Sequence, residues 1–441
     1  MKNRILLLAL TSMLTAWSWG KTIYVATDGD DAAAGTIKAP LKSLPAACQQ
    51  ASAGDTVYFR GGTYRVTDDQ IMDVKGNTAF VFALKKAGSE NGRTCFMGYP
   101  GERPVFDFSA LQLDGRHRIA AFYLGADYLH LRNFDIVGVP VRVKGHTQSE
   151  CISARKGSHC IVENIAMYNN MAIGYYQTAG SHNLVLNCDA YNNYDDYSEG
   201  PYGGNVDGFG CHVIKPTDIG NTFRGCRAWR NSDDGFDLIH CQAPVLIDHC
   251  VAMYNGFRPT ADPHNTTEFK SAGDGNGFKC GGWGMEKEKT RCIGQSPKHQ
   301  VFHCVAYYNK ANGIYANHHL SGNLWFNNTS AMNRRDNYNM VNRRSTEAGD
   351  NIDIGGYGHV LIGNVSWNPN KQDLSNCDST RCFLSNNSFA PTEIPVSESD
   401  FVSTDPALLF LPRDAKGNLP HSDFLSAKQE SVLSQRNMGW Q

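Results

Sequence analysis

The stretch His249-Cys-Val-Ala-Met-Tyr-Asn255 recurs with small variations along the middle of the chain. Its other copies share a central Ala and a terminal Asn: Asn164-Ile-Ala-Met-Tyr-Asn169, Asn187-Cys-Asp-Ala-Tyr-Asn192, Gly225-Cys-Arg-Ala-Trp-Arg-Asn231, His303-Cys-Val-Ala-Tyr-Tyr-Asn309 and Asn328-Thr-Ser-Ala-Met-Asn333. The Ala stands at positions 166, 190, 228, 252, 306 and 331, so the steps are 24, 38, 24, 54 and 25 residues. A basic period near 24 with short β-like runs is typical of a parallel β-helix. A leucine-rich repeat has a similar period, but its leucine spacing is absent.

The repeat therefore predicts an all-β fold, a single right-handed parallel β-helix. We expect the recurring Asn to form a hydrogen-bonded ladder along the helix axis. Cys188, Cys226, Cys250 and Cys304 share one repeat position and are expected to stack inside as small apolar residues. The two long steps leave extra loops of about 14 and about 30 residues, and insertions in repeat proteins tend to lie on the binding face.

Both ends of the chain depart from the repeat. Residues Ser43 to Ala51 predict a short amphipathic helix, with Ser43 as its N-cap and Pro45 in the first turn. This helix would cap the open end of the core. From about Asp400 to Gln441 the period is lost, which predicts a C-terminal cap or an arm packed along the helix. We therefore divide the chain into residues 1–20, 21–398 as the β-helix, and 399–441 as the cap or arm.

Residues 1–20 have the composition of a cleavable signal peptide. Lys2 and Arg4 give a positive start, Ile5 to Leu14 form a short apolar run, and Ser18-Trp-Gly20 offers small residues for cleavage after Gly20. This pattern predicts a secreted or periplasmic protein. No later segment reaches the length of a membrane span. The formal net charge of −2 argues against nucleic acid or an anionic membrane as a partner, and we expect a monomer.

A second shared element, Gly followed by an apolar and a variable residue, comes after each repeat's Asn. Its copies are Gly174-Tyr-Tyr176, Gly208-Phe-Gly210, Gly235-Phe-Asp237, Gly277-Phe-Lys279 and Gly313-Ile-Tyr315. With coils in register, the variable residues form one outward strip. The residues before each Gly form a parallel strip: Ile173, Asp207, Asp234, Asn276 and Asn312. Adjacent coils lie about 4.8 Å apart, so Lys279 is expected one rung beyond Asp237.

Four carboxylates, those of Asp207, Asp233, Asp234 and Asp237, are thus expected on one small patch. Unpaired carboxylates at this spacing repel, and a cation would neutralise them. Ca²⁺ accepts six to eight oxygen ligands in a flexible geometry, whereas Mg²⁺ is stricter and Zn²⁺ would call for His or Cys. A solvated turn or a purely structural calcium site is the alternative. The lysine on the next rung favours a site for chemistry.

Three segments resemble the active-site motifs of family 9 polysaccharide lyases, which are calcium-dependent pectin-degrading enzymes on a right-handed parallel β-helix. They are Val206-Asp-Gly-Phe-Gly210, Asn231-Ser-Asp-Asp-Gly-Phe-Asp-Leu238 and Gly275-Asn-Gly-Phe-Lys-Cys-Gly-Gly282. The resemblance extends from Thr22 to the Ser399-Asp-Phe-Val-Ser segment. It implies that Asp207, Asp233, Asp234 and Asp237 are calcium ligands, that Lys279 is the base, and that the partner is an acidic pectic polysaccharide.

This assignment is consistent with β-elimination, which removes the C5 proton of a uronate and expels the glycosidic oxygen at C4. A cation on the uronate carboxylate stabilises the developing anion. A lysine acts as base only when partly neutral, and a nearby cation lowers its pKa. The alternative role for Lys279 is a simple salt bridge with Asp237.

The neighbouring coils bear on the substrate. Gly174-Tyr-Tyr-Gln177 and Gly313-Ile-Tyr-Ala-Asn-His-His319 replace segments that are more acidic in the pectate-cleaving pattern, and aromatic side chains stack on sugar faces. Tyr175 and Ile314 are expected in the core. The candidate substrate-binding residues are Tyr176, Asn276, Tyr315, His318 and His319. Aromatics between charged subsites favour rhamnogalacturonan I, in which galacturonate alternates with rhamnose, over polygalacturonate.

Other functions on the same helix remain to be weighed. Pectin-hydrolysing glycosidases also carry paired Asp residues, but their Gly-His-Gly and Arg-Ile-Lys signatures are absent here. A lyase acting on alginate or another uronan would use the same chemistry. A non-catalytic carbohydrate-binding β-helix would have no need of a lysine beside the aspartate cluster.

Overall fold

The computed structural model describes residues 20–113, 115, 117–285, 294–345, 347, 349–391 and 393–440. Three long sheets run along the molecule, and each coil of the chain contributes one strand to each sheet in turn. The chain is therefore a right-handed parallel β-helix, as the repeat predicts. The predicted signal peptide lies outside the described residues except for Gly20. Within the described ranges, none of the helices has the length and hydropathy of a membrane span.

The strands are short, and each sheet keeps the chain order of its strands. Sheet 1 contains Thr22–Val25, Thr56–Phe59, Thr94–Gly98, Leu129–Arg132, Ile161–Glu163, Leu184–Leu186, Asn221–Arg224, Val245–Asp248, Gln300–Phe302, Leu324–Phe326, Val360–Ile362 and Phe383–Ser385. Sheet 2 contains Gly62–Arg65, Pro104–Asp107, Asp135–Val137, Ala166–Tyr168, Asp189–Tyr191, Arg227–Trp229, Val251–Met253, Val305–Tyr307, Thr329–Ala331 and Val365–Trp367. Sheet 3 contains Asp73–Lys75, Thr78–Leu84, Arg118–Leu124, Glu150–Ala154, Ile173–Gln177, Phe209–Cys211, Phe236–Asp237, Phe278–Lys279, Ile314–Tyr315, Tyr338–Asn339 and Leu374–Ser375.

Pairing is parallel throughout sheets 1 and 2. The first strand of sheet 3, Asp73–Lys75, is antiparallel to its neighbour, and a separate antiparallel pair joins Asn342–Arg343 to Asp353–Ile354. The helical segments are short: the α-helices Leu44–Gln50 and Val432–Gln435, and the 3-10 helices Asp68–Gln70, Glu398–Asp400 and Pro406–Phe410.

The predicted N-terminal helix is present. It begins after Ser43, whose side chain accepts a hydrogen bond from the backbone N–H of Ala46, and Pro45 lies in its first turn. Residues 399–440 pack against the outer face of sheet 2 as an arm. Arg413 anchors this arm through an ion pair of 2.6 Å with Asp189. The apolar side of the arm, including Phe424, packs with Tyr307 of sheet 2.

The register of sheet 2 corrects the alignment of the repeat at both ends. Met167, and not Ala166, pairs with Ala190, and Ser330, and not Ala331, pairs with Ala306. The inward positions are therefore 167, 190, 228, 252, 306 and 330, all fully buried. The predicted cysteine stack is confirmed, because Cys188, Cys226, Cys250 and Cys304 are fully buried in one row.

The asparagine ladder is also confirmed, with a shift of one residue in its first two members. The side-chain amide of each ladder residue donates a hydrogen bond to the side-chain oxygen of the next one, at 2.9–3.1 Å. The members in order are Asn170, Asn193, Asn231, Asn255, Asn309 and Asn333. Asn169 and Asn192, one residue earlier, instead have positive φ and turn the chain. The ladder satisfies buried backbone groups at the corner between sheets 2 and 3.

Replacement of Asn255 by Ala is expected to destabilise the helix. The Asn255 amide donates to Ala228 O and Asn309 Oδ1 at 3.0 Å each and accepts from Asn231. Asn255→Ala leaves several buried groups without partners, and we expect a loss of about 3 kcal/mol in the free energy of unfolding, measured by chemical denaturation. The exposed Asn91 provides the control, and equal midpoints for Asn255→Ala and Asn91→Ala would contradict a stabilising ladder.

Candidate functional site

The outward strip of sheet 3 has the register predicted from the sequence. Across successive coils the paired residues are Tyr123, Ser153, Tyr176, Gly210, Asp237, Lys279, Tyr315 and Asn339. The second predicted strip is also in register, because Gly208 N donates to Asp234 O and Gly235 N donates to Asn276 O. Lys279 is therefore one rung from Asp237, and Asp207 stacks on Asp234.

Side-chain alternation along sheet 3 explains how the core supports this strip. Phe209, Phe236 and Phe278 point inward and stack with ring centroids 5.0 and 4.9 Å apart, so the residue after each Phe points outward. The preceding position is Gly because space is lacking there. A Cβ on Gly235 would lie 2.8 Å from the Asn255 amide nitrogen of the ladder.

Three of the four predicted ligands form one tight group. Carboxylate oxygens of Asp207, Asp234 and Asp237 lie within 4.8 Å of one another, and all three side chains are buried. Asp207 Oδ1 accepts the backbone N–H of Asp234 at 3.1 Å, and Asp234 Oδ1 accepts the backbone N–H of Asn276 at 2.6 Å. These bonds fix one oxygen of each carboxylate. Among the described residues, Asp234 Oδ2 has no hydrogen-bond partner and faces only the ammonium group of Lys279.

Asp233 lies beside this group. It belongs to a second group with Asp234 and Asp274. Its Oδ2 accepts the backbone N–H of Asn205 at 2.9 Å, and its Oδ1 accepts that of Asp274 at 2.7 Å. Asn205 and Asp274 belong to the two loops, residues 192–208 and 254–277, that precede strands of sheet 3. Asp233 therefore ties both loops together beside the other carboxylates.

Lys279 contacts three carboxylates of these two groups. Its Nζ lies 2.9 Å from Asp234 Oδ2, 3.2 Å from Asp237 Oδ2 and 3.8 Å from Asp274 Oδ2. Burial lowers the pKa of Lys279, but the carboxylates of Asp234 and Asp237 outweigh burial and hold that pKa well above its usual range. Lys279 is thus the counter-charge of the cluster, paired with Asp237 and also with Asp234.

The carboxylates respond to the same environment. Burial, followed by repulsion from Asp233, raises the pKa of Asp207 well above its usual range, and burial raises the pKa of Asp234 to about 8. Burial also opposes ionisation of Asp237, but Lys279 and His212 overcome it and lower the pKa of that group. A single lysine therefore balances the charge of the cluster only in part.

This donor set fits a hard divalent cation. It offers only oxygen atoms, it is buried, and one of its oxygens, Asp234 Oδ2, is not used by any hydrogen bond in the described chain. Carboxylate clusters of this type suit Ca²⁺, which tolerates irregular geometry. Asp207, Asp234 and Asp237 could hold such an ion, with Asp233 and Asp274 beside them.

Tyr176 and Tyr315 flank the cluster on the outward strip. Tyr315 is half-buried on the rung after Lys279, and Tyr176 lies two rungs before Asp237. The Tyr176 ring meets His212 edge-on at 5.0 Å. Tyr175 and Ile314, the residues before them, are fully buried in the core as expected.

The structure corrects two of the candidate substrate-binding residues. His319 is fully buried, with Nε2 facing the carbonyl oxygen of Pro297, because Asn317 and His318 both have positive φ and turn the chain inward. Asn276 uses both ends of its amide, donating to Asp234 Oδ1 at 2.9 Å and accepting from Asn312 at 2.9 Å. It supports Asp234 and does not face outward.

His318 lies at the edge of the strip. Its Nε2 is 3.2 Å from Asp353 Oδ1, and its ring is 6.4 Å from that of Tyr315. Burial lowers the pKa of His318 to about 4, so the side chain is neutral near pH 7. Little of it is exposed.

Two further residues join the site that the repeat did not reveal. Asp274 precedes Gly275-Asn-Gly277, at a loop position that the Gly-apolar-X repeat does not include. His212 lies two residues after Gly210, and its buried Nε2 is 4.0 Å from Asp237 Oδ1 with no hydrogen-bond partner in the described chain. Side chains alternate along a strand, so counting two residues on from the outward Gly210 predicts that His212 also points outward.

Comparisons with known proteins agree with this fold. The family model described as "Pel9A-like, right handed beta helix region" matches residues 23–351. Pectate lyase L of Dickeya dadantii is 33% identical over 412 residues, which cover 93% of this chain and 84% of that protein. A solved rhamnogalacturonan lyase superposes with a TM-score of 0.89 at 39% identity, covering 95% of this chain and 99% of the other. The crystal structure of pectate lyase Pel9A gives 0.71 at 29% identity, covering 94% and 91%.

The buried histidines next to His319 predict acid lability. His359 Nδ1 accepts hydrogen bonds from Asn323 N at 2.9 Å and Trp325 Nε1 at 3.1 Å, and burial lowers its pKa to about 3. An unfolded histidine has a pKa of about 6.5, so the unfolded chain binds more protons below that pH and stability falls as the pH drops from about 6.5 to about 3.

We therefore expect His359→Gln, which keeps an acceptor for both N–H groups, to remove about 3 kcal/mol of the stability loss between pH 6.5 and 4. The measurement is chemical denaturation at a series of pH values. His421→Gln, at an exposed position, is the control. The same pH dependence in the wild type and His359→Gln would contradict a neutral buried His359.

Proposed function

The chain belongs to the Pel9A-like right-handed β-helix family and is a polysaccharide lyase, and we propose that it cleaves a galacturonate-containing pectic backbone by β-elimination. Lys279 is the base that removes the C5 proton of a uronate, and Ca²⁺ is the cofactor. One observation carries this proposal. The Lys279 amine lies 2.9 and 3.2 Å from two members of an oxygen-only carboxylate cluster, so base and metal ligands reach the same sugar ring.

Asp207, Asp234 and Asp237 would hold the ion, and Asp233 and Asp274 would complete or support its shell. When bound, Ca²⁺ supplies Lewis-acid stabilisation of the negative charge that develops as the uronate loses its C5 proton. Asp233 also fixes both flanking loops through backbone N–H groups, so the loops and the ligands are positioned together.

Lys279 changes partners in this proposal. Paired with Asp234 and Asp237 alone, it is protonated and cannot act as a base. When the charge of these carboxylates is balanced by a cation, the attraction that keeps the amine protonated is lost, and the pKa of Lys279 falls. Lys279 then accepts the C5 proton. The electrons of the broken C–H bond form the C4–C5 double bond and expel the glycosidic oxygen at C4.

Rhamnogalacturonan I is the substrate we favour. The solved rhamnogalacturonan lyase is more similar to this chain in both identity and TM-score than the solved pectate lyase Pel9A. Tyr176 and Tyr315 also offer aromatic rings on either side of the charged centre, which suits neutral sugars between uronates. Polygalacturonate is the second candidate, because curated relatives at 33% identity are named pectate lyases.

A substrate panel tests the reaction and its specificity. The protein is incubated with rhamnogalacturonan I, polygalacturonate and alginate, with calcium or with a chelator, and ultraviolet absorbance of the unsaturated product is followed. We expect calcium-dependent absorbance, faster on rhamnogalacturonan I. Reducing-end release without absorbance would mean hydrolysis and would end the lyase proposal. Faster turnover of polygalacturonate would reverse the substrate preference, and full activity in chelator would remove the cofactor.

Two substitutions separate the base from the metal ligands. Lys279→Ala is expected to lower kcat by about 10²–10⁴-fold, while calcium binding, measured by calorimetric titration, is retained or tightened because the competing ammonium group is removed. Asp234→Asn is expected to weaken calcium binding by at least about tenfold, because it removes a carboxylate ligand. The exposed Lys298 is the matched control for the loss of a lysine.

Each variant can contradict one role. An unchanged calcium titration for Asp234→Asn would exclude Asp234 as a ligand. Substantial turnover by Lys279→Ala, with Lys298→Ala unaffected, would exclude Lys279 as the base.

A further inference from the structure

A cationic cluster lies on the same sheet as the acidic site, further toward the N-terminal end. From Asp237 the outward strip passes through Gly210 and Tyr176 to Ser153. Ser153 is three rungs from Asp237, a distance of about 14 Å at the spacing of parallel strands. Arg155, two residues after Ser153, reaches over the Tyr176 ring on the next rung toward Asp237, with its guanidinium carbon 5.2 Å from the ring centroid.

Arg155 is held rigidly in this position. Its Nη2 and Nε both contact the carboxylate of Glu150, the Nε bond to Oε2 measuring 3.2 Å, and Nε also lies 3.2 Å from Ser153 Oγ. Glu150 is almost fully buried, and Arg118 binds the same carboxylate at 2.6 Å. A guanidinium with a fixed fork loses little freedom when it binds a ligand.

The cluster carries excess positive charge and a free donor. Two guanidinium groups, those of Arg118 and Arg155, share the single carboxylate of Glu150. Over the described part of the chain, the Nη1 group of Arg155 has no hydrogen-bond acceptor, and 26% of the side chain is exposed.

We propose that Arg155 binds the carboxylate of a uronate several sugar units away from the bond that is cleaved, while Tyr176 packs against the intervening sugar. This inference rests on the proposed function and adds a specificity subsite to it. Arg118 and Glu150 position Arg155. The Arg155 guanidinium lies over Tyr176, which is two rungs, about 10 Å, from Asp237, so its ligand is the carboxylate of another uronate and not that of the reacting ring.

The chemistry of the subsite follows from its groups. Arginine presents paired N–H donors that match the two oxygens of a carboxylate, and an adjacent aromatic ring offers an apolar face to a sugar. A methyl ester on the uronate removes the negative charge of the carboxylate and the pair of equivalent oxygens that a guanidinium binds. The subsite therefore selects acidic over esterified polymer at a distance from the reacting ring.

The chain contains a matched control for this arrangement on another face. Arg60, after the second strand of sheet 1, binds Glu102 at 2.7 Å and lies 4.8 Å from the Tyr99 ring centroid. It repeats the Arg, Glu and Tyr combination away from sheet 3, so Arg60→Ala removes the same contacts without touching the outward strip.

Binding measured without turnover tests the subsite separately from the reaction. Affinity electrophoresis of the full chain in gels containing polygalacturonate, rhamnogalacturonan I or fully methyl-esterified pectin compares the wild type, Arg155→Ala and Arg60→Ala. We expect Arg155→Ala to lose about tenfold in affinity for both acidic polymers and nothing for the ester, as for the loss of one charge-assisted pair. Arg60→Ala should bind as the wild type. Equal losses on acidic and esterified polymer would overturn the proposal.

Kinetics on substrates of different length provide the second readout. On long acidic polymer, Arg155→Ala should raise KM about tenfold with kcat nearly unchanged, and Arg155→Lys should recover part of the loss. On the shortest cleavable oligosaccharide, which cannot reach from Asp237 to Arg155, the variant should match the wild type. An increase in KM that is the same for long polymer and for the shortest oligosaccharide would show that Arg155 acts through the fold or the carboxylate cluster. That result would overturn the proposal.

The outcomes also distinguish this proposal from the function on which it rests. If no polysaccharide yields unsaturated product but Arg155→Ala still weakens binding to the acidic polymers, the β-elimination is wrong and the subsite stands. If product forms with calcium and Arg155→Ala binds all polymers as the wild type does, the subsite is wrong and the reaction stands. Thermal denaturation of each variant shows that it is folded, and Arg155→Gln, which retains donors to Glu150, replaces Arg155→Ala if that variant is not.

Discussion

The in-register stacking of parallel coils at about 4.8 Å is the constraint on which both the core and the site depend. Asp237 and Lys279 are neighbours because Phe236 and Phe278 pair across sheet 3 and stack beneath them. A slip of one residue would move every side chain to the opposite face of the sheet and bury the charges. The asparagine ladder at the adjoining corner holds the coils against such a slip. The same register of the coils therefore determines both the packing of the core and the geometry of the site.

The same stacking creates an electrostatic problem, because it buries several carboxylates together. Removing one partner of a buried ion pair costs about 3–5 kcal/mol, so a cluster of this kind needs compensation in every state. Lys279 supplies part of it by contacting Asp234 and Asp237. A bound cation and the ammonium form of Lys279 therefore compete for the same oxygens. In the proposed reaction this competition couples metal binding to the release of the base.

The sequence predicts the site best where chain geometry is set by the repeat. The Gly-apolar-X element has constant length, so counting rungs correctly placed Lys279 beside Asp237 and Asp207 on Asp234. The contribution of Asp274 came from a loop whose path the repeat does not determine, and it could not be found by counting. The prediction that His319 faces the groove was wrong for a related reason. Two consecutive residues with positive φ, Asn317 and His318, reverse the expected direction of its side chain.

Charge along sheet 3 changes sign over a short distance, and this separation has a physical advantage. An arginine within hydrogen-bonding range of Asp207 or Asp237 would pair with them and compete with a cation for their oxygens. Arg155 instead pairs with Glu150, on a rung separate from those of Asp207 and Asp237. Arg155 can then attract an anionic polymer without neutralising the ligands. In the proposed function, a chain with a formal net charge of only −2 thus offers a polyuronate two separate points of attachment on one face, a carboxylate cluster that would hold a cation and a guanidinium.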